Sequence, residues 1–317
     1  MHGSTSSRAV RTSRAGETTK QSPEKGRKGW RMPSINQALG MPNAPKGRFV
    51  NPGAAKKWAD IVAHMEVSAV LSDLDGTWAD EVPGNDMPDV HPDTPTVFGQ
   101  LSERMLAAAV SGRDDRAIEE VYGIRHTKVH RISEYGCGYS YDGDYTDWVE
   151  RPGGLDDFNQ TLDLILKGIG VYDRVVTQKK PHLSCVHFQG VSDRGVVDIL
   201  ANCINLLAVQ HGLTVRKGRG FIEVGPEVDK GNAIWRLFHE RDIKPYGVVF
   251  LGNSSGDEPA RKTLRYLEKW GVVTAFVCVG HDDRALAERS DIHLDRPDET
   301  RKLLTWLRDG TGRMMAS

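Results

Sequence analysis

The sequence predicts an α/β protein in which a parallel-sheet core is interrupted by a smaller inserted α/β domain. Short apolar runs that end in polar or acidic residues alternate with amphipathic helical stretches, the pattern of strands joined by crossover helices. That alternation is broken between residues 146 and 221 and resumes afterwards. The interruption has a different texture, with hairpin-like and alternating segments flanking two helical runs.

Each element follows in order. Residues 1–50 hold ten Lys or Arg against two Glu, with no sustained apolar period, and are expected to form a disordered basic tail. The opening MHGSTSSRAVRTSR has no apolar stretch of the secretory kind, and its Arg and Ser content leaves an organelle transit peptide as the alternative. AAKKWADIVAHM, from Ala54, has helical spacing with Trp58, Ile61, Val62 and Met65 near one face. VSAVLSD then reads as a strand buried on both faces and ending in carboxylates. A helix is expected over Pro95–Glu103, a strand over MLAAAV and a helix over Asp114–Tyr122. After the interruption come the helix GNAIWRLFHERD, the strand YGVVFLGN, the helix EPARKTLRYLEKW, the strand VVTAFVCVG and the closing helix PDETRKLLTWLRD. Between these halves, YSYDGDYTDWVERPGG reads as a hairpin or meander, LDDFNQTLDLILKGI and DRGVVDILANCINLLAVQHG as helices, LSCVHFQ as a strand, and LTVRKGRGFIEVG as a hairpin returning to the core. The expected domains are a core of 51–145 plus 222–312 and an insert of 146–221.

Composition narrows the function. Outside the tail the chain carries 32 basic and 41 acidic residues, a balance that argues against nucleic acid as the main ligand. The four cysteines lack paired spacing, which fits reduced thiols in an intracellular, cytoplasmic protein. No apolar run reaches the roughly 20 residues a bilayer crossing needs, so no membrane partner is expected.

The strongest chemical signal is Asp73-Leu74-Asp75-Gly76-Thr77, directly after an apolar run. Ligands gather at the carboxyl ends of parallel strands, where two carboxylates one residue apart can face one pocket. Gly76 permits the turn, and Thr77 offers a hydroxyl and an N–H to a phosphate. An Asp-Gly turn after a strand is the plainer alternative. Ser111-Gly112-Arg113 also sits between strand and helix, where free N–H groups suit an anion, although Ser-Gly there is ordinary turn chemistry too. Lys230 opens a helix, where a cation opposes the helix dipole unless an anion lies nearby; a solvated lysine is the alternative. Asn253 ends a strand and is followed by Ser254, Ser255, Gly256, Asp257 and Glu258, oxygen donors suited to Mg²⁺ or to a polar loop opening a helix.

Taken together and in this order, Asp73/Asp75, Ser111, Lys230 and Asn253/Asp257 resemble the four motifs of the haloacid dehalogenase superfamily, over about residues 66–310. The resemblance implies a HAD-like Rossmannoid core with an inserted α/β cap. It also implies Asp73 as nucleophile, Asp75 as acid and then base, and Ser111 and Lys230 as further catalytic residues. Mg²⁺ would be held by Asp73, the backbone carbonyl of Asp75, and Asn253 with Asp257. Within the superfamily the chain is similar to trehalose-6-phosphate phosphatases: Ser111-Gly112-Arg113, Glu134-Tyr135-Gly136, Glu223 with Asp229-Lys230-Gly231, and Leu251 to Glu258 all parallel their motifs. Gln178, Lys180 and His187-Phe188-Gln189 align with their Glu-x-Lys and His-Tyr-Arg cap segments. Three departures stand out. Asn253 replaces an acidic metal ligand, Gln178 replaces a Glu, and Gln189 replaces an Arg, which loses a charge and a planar fork.

The expected function is therefore Mg²⁺-dependent hydrolysis of a phosphosugar, with trehalose 6-phosphate the best single substrate and a monomer the expected state. Gly76, Thr77, Gly112, Arg113, Lys180, His187 and Glu223 are the expected substrate contacts. For Lys180, His187 and Glu223 the plainer readings are a solvated strand lysine, a backbone-satisfied histidine and an edge glutamate. The alternatives are a related phosphatase for glycosyl-3-phosphoglycerate or sucrose 6-phosphate, or a non-catalytic module that senses a phosphosugar or regulates a sugar-phosphate synthase.

Overall fold

The computed structural model describes residues 45, 47–82 and 87–309; most of the expected basic tail, residues 1–44, lies outside them. In chain order the core begins with β1 (Gly47–Phe49), α1 (Ala54–Ala63), β2 (Ser68–Ser72), α2 (Asp93–Leu101), β3 (Leu106–Val110), α3 (Asp115–Tyr122), β4 (His130–Ser133), β5 (Gly138–Tyr141) and β6 (Asp144–Asp147). The insert follows as α4 (Leu155–Gly168), β7 (Val176–Lys179), β8 (Ser184–His187), α5 (Arg194–Gln210), β9 (Thr214–Gly218) and β10 (Phe221–Gly225). The core then resumes with α6 (Lys230–Glu240), β11 (Gly247–Gly252), α7 (Glu258–Glu268), β12 (Val273–Val279), α8 (Arg284–Glu288), β13 (Ile292–Leu294) and α9 (Pro297–Asp309).

The core strands form one nine-stranded sheet in the order β1-β13-β12-β11-β2-β3-β4-β5-β6. From β13 to β4 every pairing is parallel; β1 and the β5–β6 hairpin add antiparallel edges. Strand side chains alternate between two apolar layers. Val70, Val249, Leu251, Ala275 and Val277 face α1, α2, α3 and α9, whereas Ala69, Leu71, Val248, Phe250 and Phe276 face α6 and α7. Burial on both faces is why β2 reads as an unbroken apolar run. α1 packs the predicted face, with Trp58 fully buried and stacked 5.5 Å from Trp306. Truncating Trp58 to alanine would cost about 3–5 kcal/mol.

Gly47–Phe49 departs from the disordered reading of residues 1–50. It pairs antiparallel with β13 and buries Phe49, so a hydrophobic anchor and an open sheet edge order it. The second sheet is antiparallel, in the order β7-β8-β10-β9, with α4 and α5 packed on one face. β10, which runs across the expected 221/222 boundary, pairs with β8 and β9 and so belongs wholly to this sheet. The period-two alternation of its strands has a functional consequence. Val186, Ile222 and Val224 point into the apolar layer under α4 and α5, while Cys185, His187, Phe221 and Glu223 line a cavity between this sheet and the core.

Candidate active site

The carboxyl ends of β2, β3 and β11 and the start of α6 converge on that cavity, of about 930 Å³. Asp73 follows β2 directly and is tied to the neighbouring strand by its N–H, which donates to the Leu251 carbonyl at 2.8 Å. Lys230 is the first residue of α6, whose cap is the Asp229 carboxylate accepting from the Asn232 N–H. Its Nζ lies 2.7 Å from Asp73 Oδ1 and 2.7 Å from Asp257 Oδ1, and all three side chains are buried. The plainer reading of Lys230 as a solvated lysine is thereby excluded: two carboxylates hold it at the helix start. Burial disfavours its charge, but Asp257 and Asp73 raise its proton affinity above the ordinary lysine value.

The opposite holds for Asp73. Burial and then the charge of Asp257 push its carboxyl well above the usual range, against the pull of Lys230. Two buried carboxylates face one ammonium, so this cluster is short of positive charge.

Asp75 is held differently. Arg113 Nε donates to Asp75 Oδ2 at 2.8 Å, Arg113 Nη2 to Oδ1 at 2.7 Å, and the Tyr122 hydroxyl to Oδ1 at 2.8 Å. Burial raises the Asp75 carboxyl, but these bonds and the Arg113 charge outweigh it and hold it below the usual value. Tyr122 was not singled out in the sequence; it looks like one more apolar-face residue of α3.

Between these groups sits Asn253, buried at the end of β11. Its Nδ2 donates to Glu81 Oε1 at 3.0 Å, which fixes the orientation of the amide, and its Oδ1 has no hydrogen-bond partner among the described residues. The amide lies hard against Gly76. A Cβ there would stand 1.9 Å from Asn253 Nδ2, and Gly76 has φ +70°, so only glycine serves. Asp257 spends its second oxygen on the N–H groups of Asn253 and Ser254, at 3.0 and 3.2 Å.

The inserted domain supplies the other wall. Lys180 Nζ donates to the Gly112 carbonyl at 2.9 Å and lies 3.5 Å from Glu223 Oε1, the Glu223 side chain buried and that of Lys180 largely so. His187 is within 3.3 Å of Cys185 Sγ, and its buried Nδ1 has no partner among the described residues. The solvated-lysine and edge-glutamate readings therefore do not hold for Lys180 and Glu223. Glu134, in a left-handed conformation with φ 48°, accepts from the N–H groups of His182 and Leu183 and from His182 Nδ1 or pairs with it, at 2.9, 3.2 and 2.9 Å. That carboxylate fastens the core to the segment entering β8.

Of the sequence-predicted residues, Asp73, Asp75, Gly112, Arg113, Lys180, His187, Glu223 and Lys230 line the cavity, as do Gln178 and Gln189. Gly76, Thr77, Ser111, Asn253 and Asp257 are not part of its lining. The Thr77 N–H donates to the Leu74 carbonyl at 3.1 Å and its hydroxyl is buried. The Ser111 hydroxyl is likewise buried and accepts from the Arg113 N–H at 3.1 Å. The Thr77 hydroxyl has no hydrogen-bond partner among the described residues, and the Ser111 hydroxyl, as an acceptor in that bond, keeps its own proton to donate. Glu81, Tyr122 and Cys185 joined the site only in three dimensions. No helix among the described residues is long and apolar enough to cross a membrane.

Comparison with known proteins locates the chain among relatives. The sequence model for trehalose-phosphatase matches residues 71–293. Trehalose-phosphate phosphatases of Mycobacterium tuberculosis and Mycobacterium bovis are 26% identical over 198 residues, which cover 61% of this chain and 50% of theirs. The chain spans about half the length of the curated relatives it matches. Among solved structures, the C-terminal domain of Candida albicans trehalose-6-phosphate phosphatase superposes with a TM-score of 0.64 at 19% identity, covering 81% of this chain and 96% of that one. A trehalose-6-phosphate phosphatase related protein gives 0.63 at 19% identity, over 76% and 97%. The C-terminal domain of the C. albicans trehalose synthase regulatory protein gives 0.60 at 12% identity, over 79% and 97%. At these identities the structural likeness concerns the fold, a HAD-like α/β core with a cap.

Proposed function

The chain belongs to the trehalose-phosphatase family, and from that premise we propose that it hydrolyses a sugar phosphate, trehalose 6-phosphate, to trehalose and inorganic phosphate. The observation that carries the reading is the buried Asp73–Lys230–Asp257 cluster, opening on the same cavity as Asp75 and the insert's Lys180 and Glu223. A nucleophile, an acid–base carboxylate and sugar-facing polar groups then share one enclosed space.

In the first step an Asp73 carboxylate oxygen attacks phosphorus and the bond from phosphorus to the sugar oxygen breaks. That oxygen takes a proton from Asp75, leaving an aspartyl-phosphate. In the second, Asp75 removes a proton from water, whose oxygen attacks the same phosphorus; phosphate leaves and Asp73 is restored. Lys230 fixes the direction of the Asp73 carboxylate and balances its charge. Asp75 begins ionised under Arg113, so it must gain a proton before the first step. The substrate's phosphate competes for Arg113, loosens the pairing and lifts the proton affinity of Asp75. Lys180, His187 and Glu223 bind the sugar hydroxyls and exclude water as the cap closes.

Mg²⁺ is the metal this fold family uses, and two observations support the fit. The buried Asn253 Oδ1 is an oxygen donor without a partner among the described residues, and the carboxylates around Asp73 exceed the positive charge of Lys230. Asp73, the Asp75 carbonyl and Asn253 Oδ1 would hold the ion, with Glu81 restoring the negative charge that Asn253 lacks. When bound it draws charge from the phosphoryl oxygens and aligns the attack. Asp257, its oxygens engaged by Lys230 and two N–H groups, serves by positioning them. The four cysteines are free thiols, which suits a cytoplasmic protein.

Asn253 favours a second reading, a phosphosugar-sensing module without turnover that regulates a synthase; Glu81 beside it and the intact Asp73, Asp75 and Lys230 weigh for the enzyme. Phosphate release from a panel of phosphosugars with Mg²⁺ decides. The enzyme reading expects trehalose 6-phosphate to exceed sucrose 6-phosphate and glycosyl-3-phosphoglycerate in kcat/KM. Tight binding of trehalose 6-phosphate without phosphate release would support the sensor instead.

A further inference from the structure

We propose that His281, His293 and Asp295 form a binding site for a transition-metal dication of the Zn²⁺ type, at the carboxyl ends of β12 and β13, none of the three lining the catalytic cavity. One ligand atom from each residue lies within 4.8 Å of the other two. His281 Nε2 and His293 Nδ1 stand 3.8 and 3.7 Å from the same oxygen, Asp295 Oδ1, and the two rings are 4.9 Å apart.

His293 is the residue that turns proximity into a site. Its Nε2 lies 2.8 Å from the Gly280 carbonyl oxygen, which can only accept, so the ring proton resides on Nε2. Nδ1 therefore presents a bare lone pair. The side chain is 1% exposed, and Nδ1 has no hydrogen-bond partner among the described residues. A buried acceptor left unpaired is costly. A backbone carbonyl fixing one imidazole nitrogen while the other faces ligands is the usual support of a metal-binding histidine.

A plain ion pair with Asp295 does not explain the cluster. At 3.7 and 3.8 Å neither histidine makes a hydrogen bond to the carboxylate. Two imidazoles and one carboxylate suit Zn²⁺, Co²⁺ or Ni²⁺ better than Mg²⁺, which prefers oxygen donors. Metal–ligand bonds of about 2.0–2.2 Å need a modest contraction of the group. His281 and Asp295 are exposed and sit outside the strands, so they can supply it; the fourth position is open to water. His281 adjoins Asp282, whose carboxylate pairs with Arg219 of the β9–β10 turn at 3.0 Å.

Titration of the full chain with Co²⁺, in millimolar Mg²⁺ to occupy the acidic cavity, tests this by absorption. The expected result is one Co²⁺ per chain with the visible bands of a nitrogen-ligated ion, displaced by Zn²⁺. His281→Ala and Asp295→Asn alter exposed side chains, and each should weaken binding by at least the roughly 10–100-fold that loss of a supporting partner costs a metal site. Phosphate release should be unchanged in both, which separates this site from the catalytic one. No Co²⁺ binding in the micromolar range, or equal binding by wild type and both variants, overturns the proposal.

Discussion

Arg113 and Asp75 form a forked ion pair, with Nε and Nη2 donating to both carboxylate oxygens at 2.7 to 3.1 Å. Burial alone would raise the Asp75 carboxyl; the fork and the Tyr122 hydroxyl instead hold it below its ordinary 3.8. A carboxylate lowered on folding stabilises the fold above its unfolded value, and that contribution vanishes as pH falls through the lowered value. Asp75→Asn should thus be less stable than wild type at neutral pH. The loss should be about 1 kcal/mol, discounted because the side chain is 34% exposed. Urea unfolding at stepwise lower pH should show the gap closing below pH 3.8; a gap that widens on acidification contradicts the pairing.

Lys230 bears on stability as well as turnover. Lys230→Met would leave Asp73 and Asp257 buried with no counter-charge, at a cost of about 3–5 kcal/mol at neutral pH. The loss should shrink in acid, where the two carboxyls can take up protons. Chemical denaturation at two pH values reads this directly, and a loss below about 1 kcal/mol at neutral pH would mean that Lys230 is not the partner of both carboxylates.

The metal reading makes opposite demands on two neighbours. Asn253→Asp sets a carboxylate against Glu81, so the metal-free protein should lose thermal stability while its affinity for Mg²⁺ rises. Glu81→Gln should weaken Mg²⁺ with little change in the metal-free Tm. Calorimetric Mg²⁺ titration and melting curves check both. Unaltered Mg²⁺ affinity in the two variants would remove Asn253 and Glu81 from the metal site.

For the cap, Lys180→Ala and Glu223→Ala should reduce kcat/KM for trehalose 6-phosphate far more than for a small aryl phosphate, which engages little of that wall. Equal losses on both substrates would assign the pair to the fold or to the core chemistry.

Much of this site was legible because its signals are local. Asp73, Asp75, Lys230 and Asn253 each stand where an apolar run stops or a helix opens, and strand ends are where α/β sheets gather ligands. The Lys230 conflict with its helix dipole pointed to the anions that the structure supplies. What escaped depends on distant contacts: Glu81 meets Asn253 across 172 residues, and Tyr122 meets Asp75 across 47. β7 and β13 escaped for another reason. β7 is short and largely polar, Val-Thr-Gln-Lys, and β13 is only Ile-His-Leu, so neither shows a period long enough to read. Thr77 and Ser111 look like phosphate donors in sequence; the turn at the strand end takes the Thr77 N–H, while both buried hydroxyls keep a proton to donate.

The central claim is that Asp73 attacks phosphorus on trehalose 6-phosphate, and phosphate release by wild type and Asp73→Asn with Mg²⁺, side by side, tests it most directly. An amide is a poor nucleophile. The account predicts turnover by wild type and a fall of at least about a thousandfold in a variant that remains folded. Activity within about tenfold of wild type in folded Asp73→Asn would contradict it, because the phosphoryl group would then be leaving by a route that does not pass through this residue.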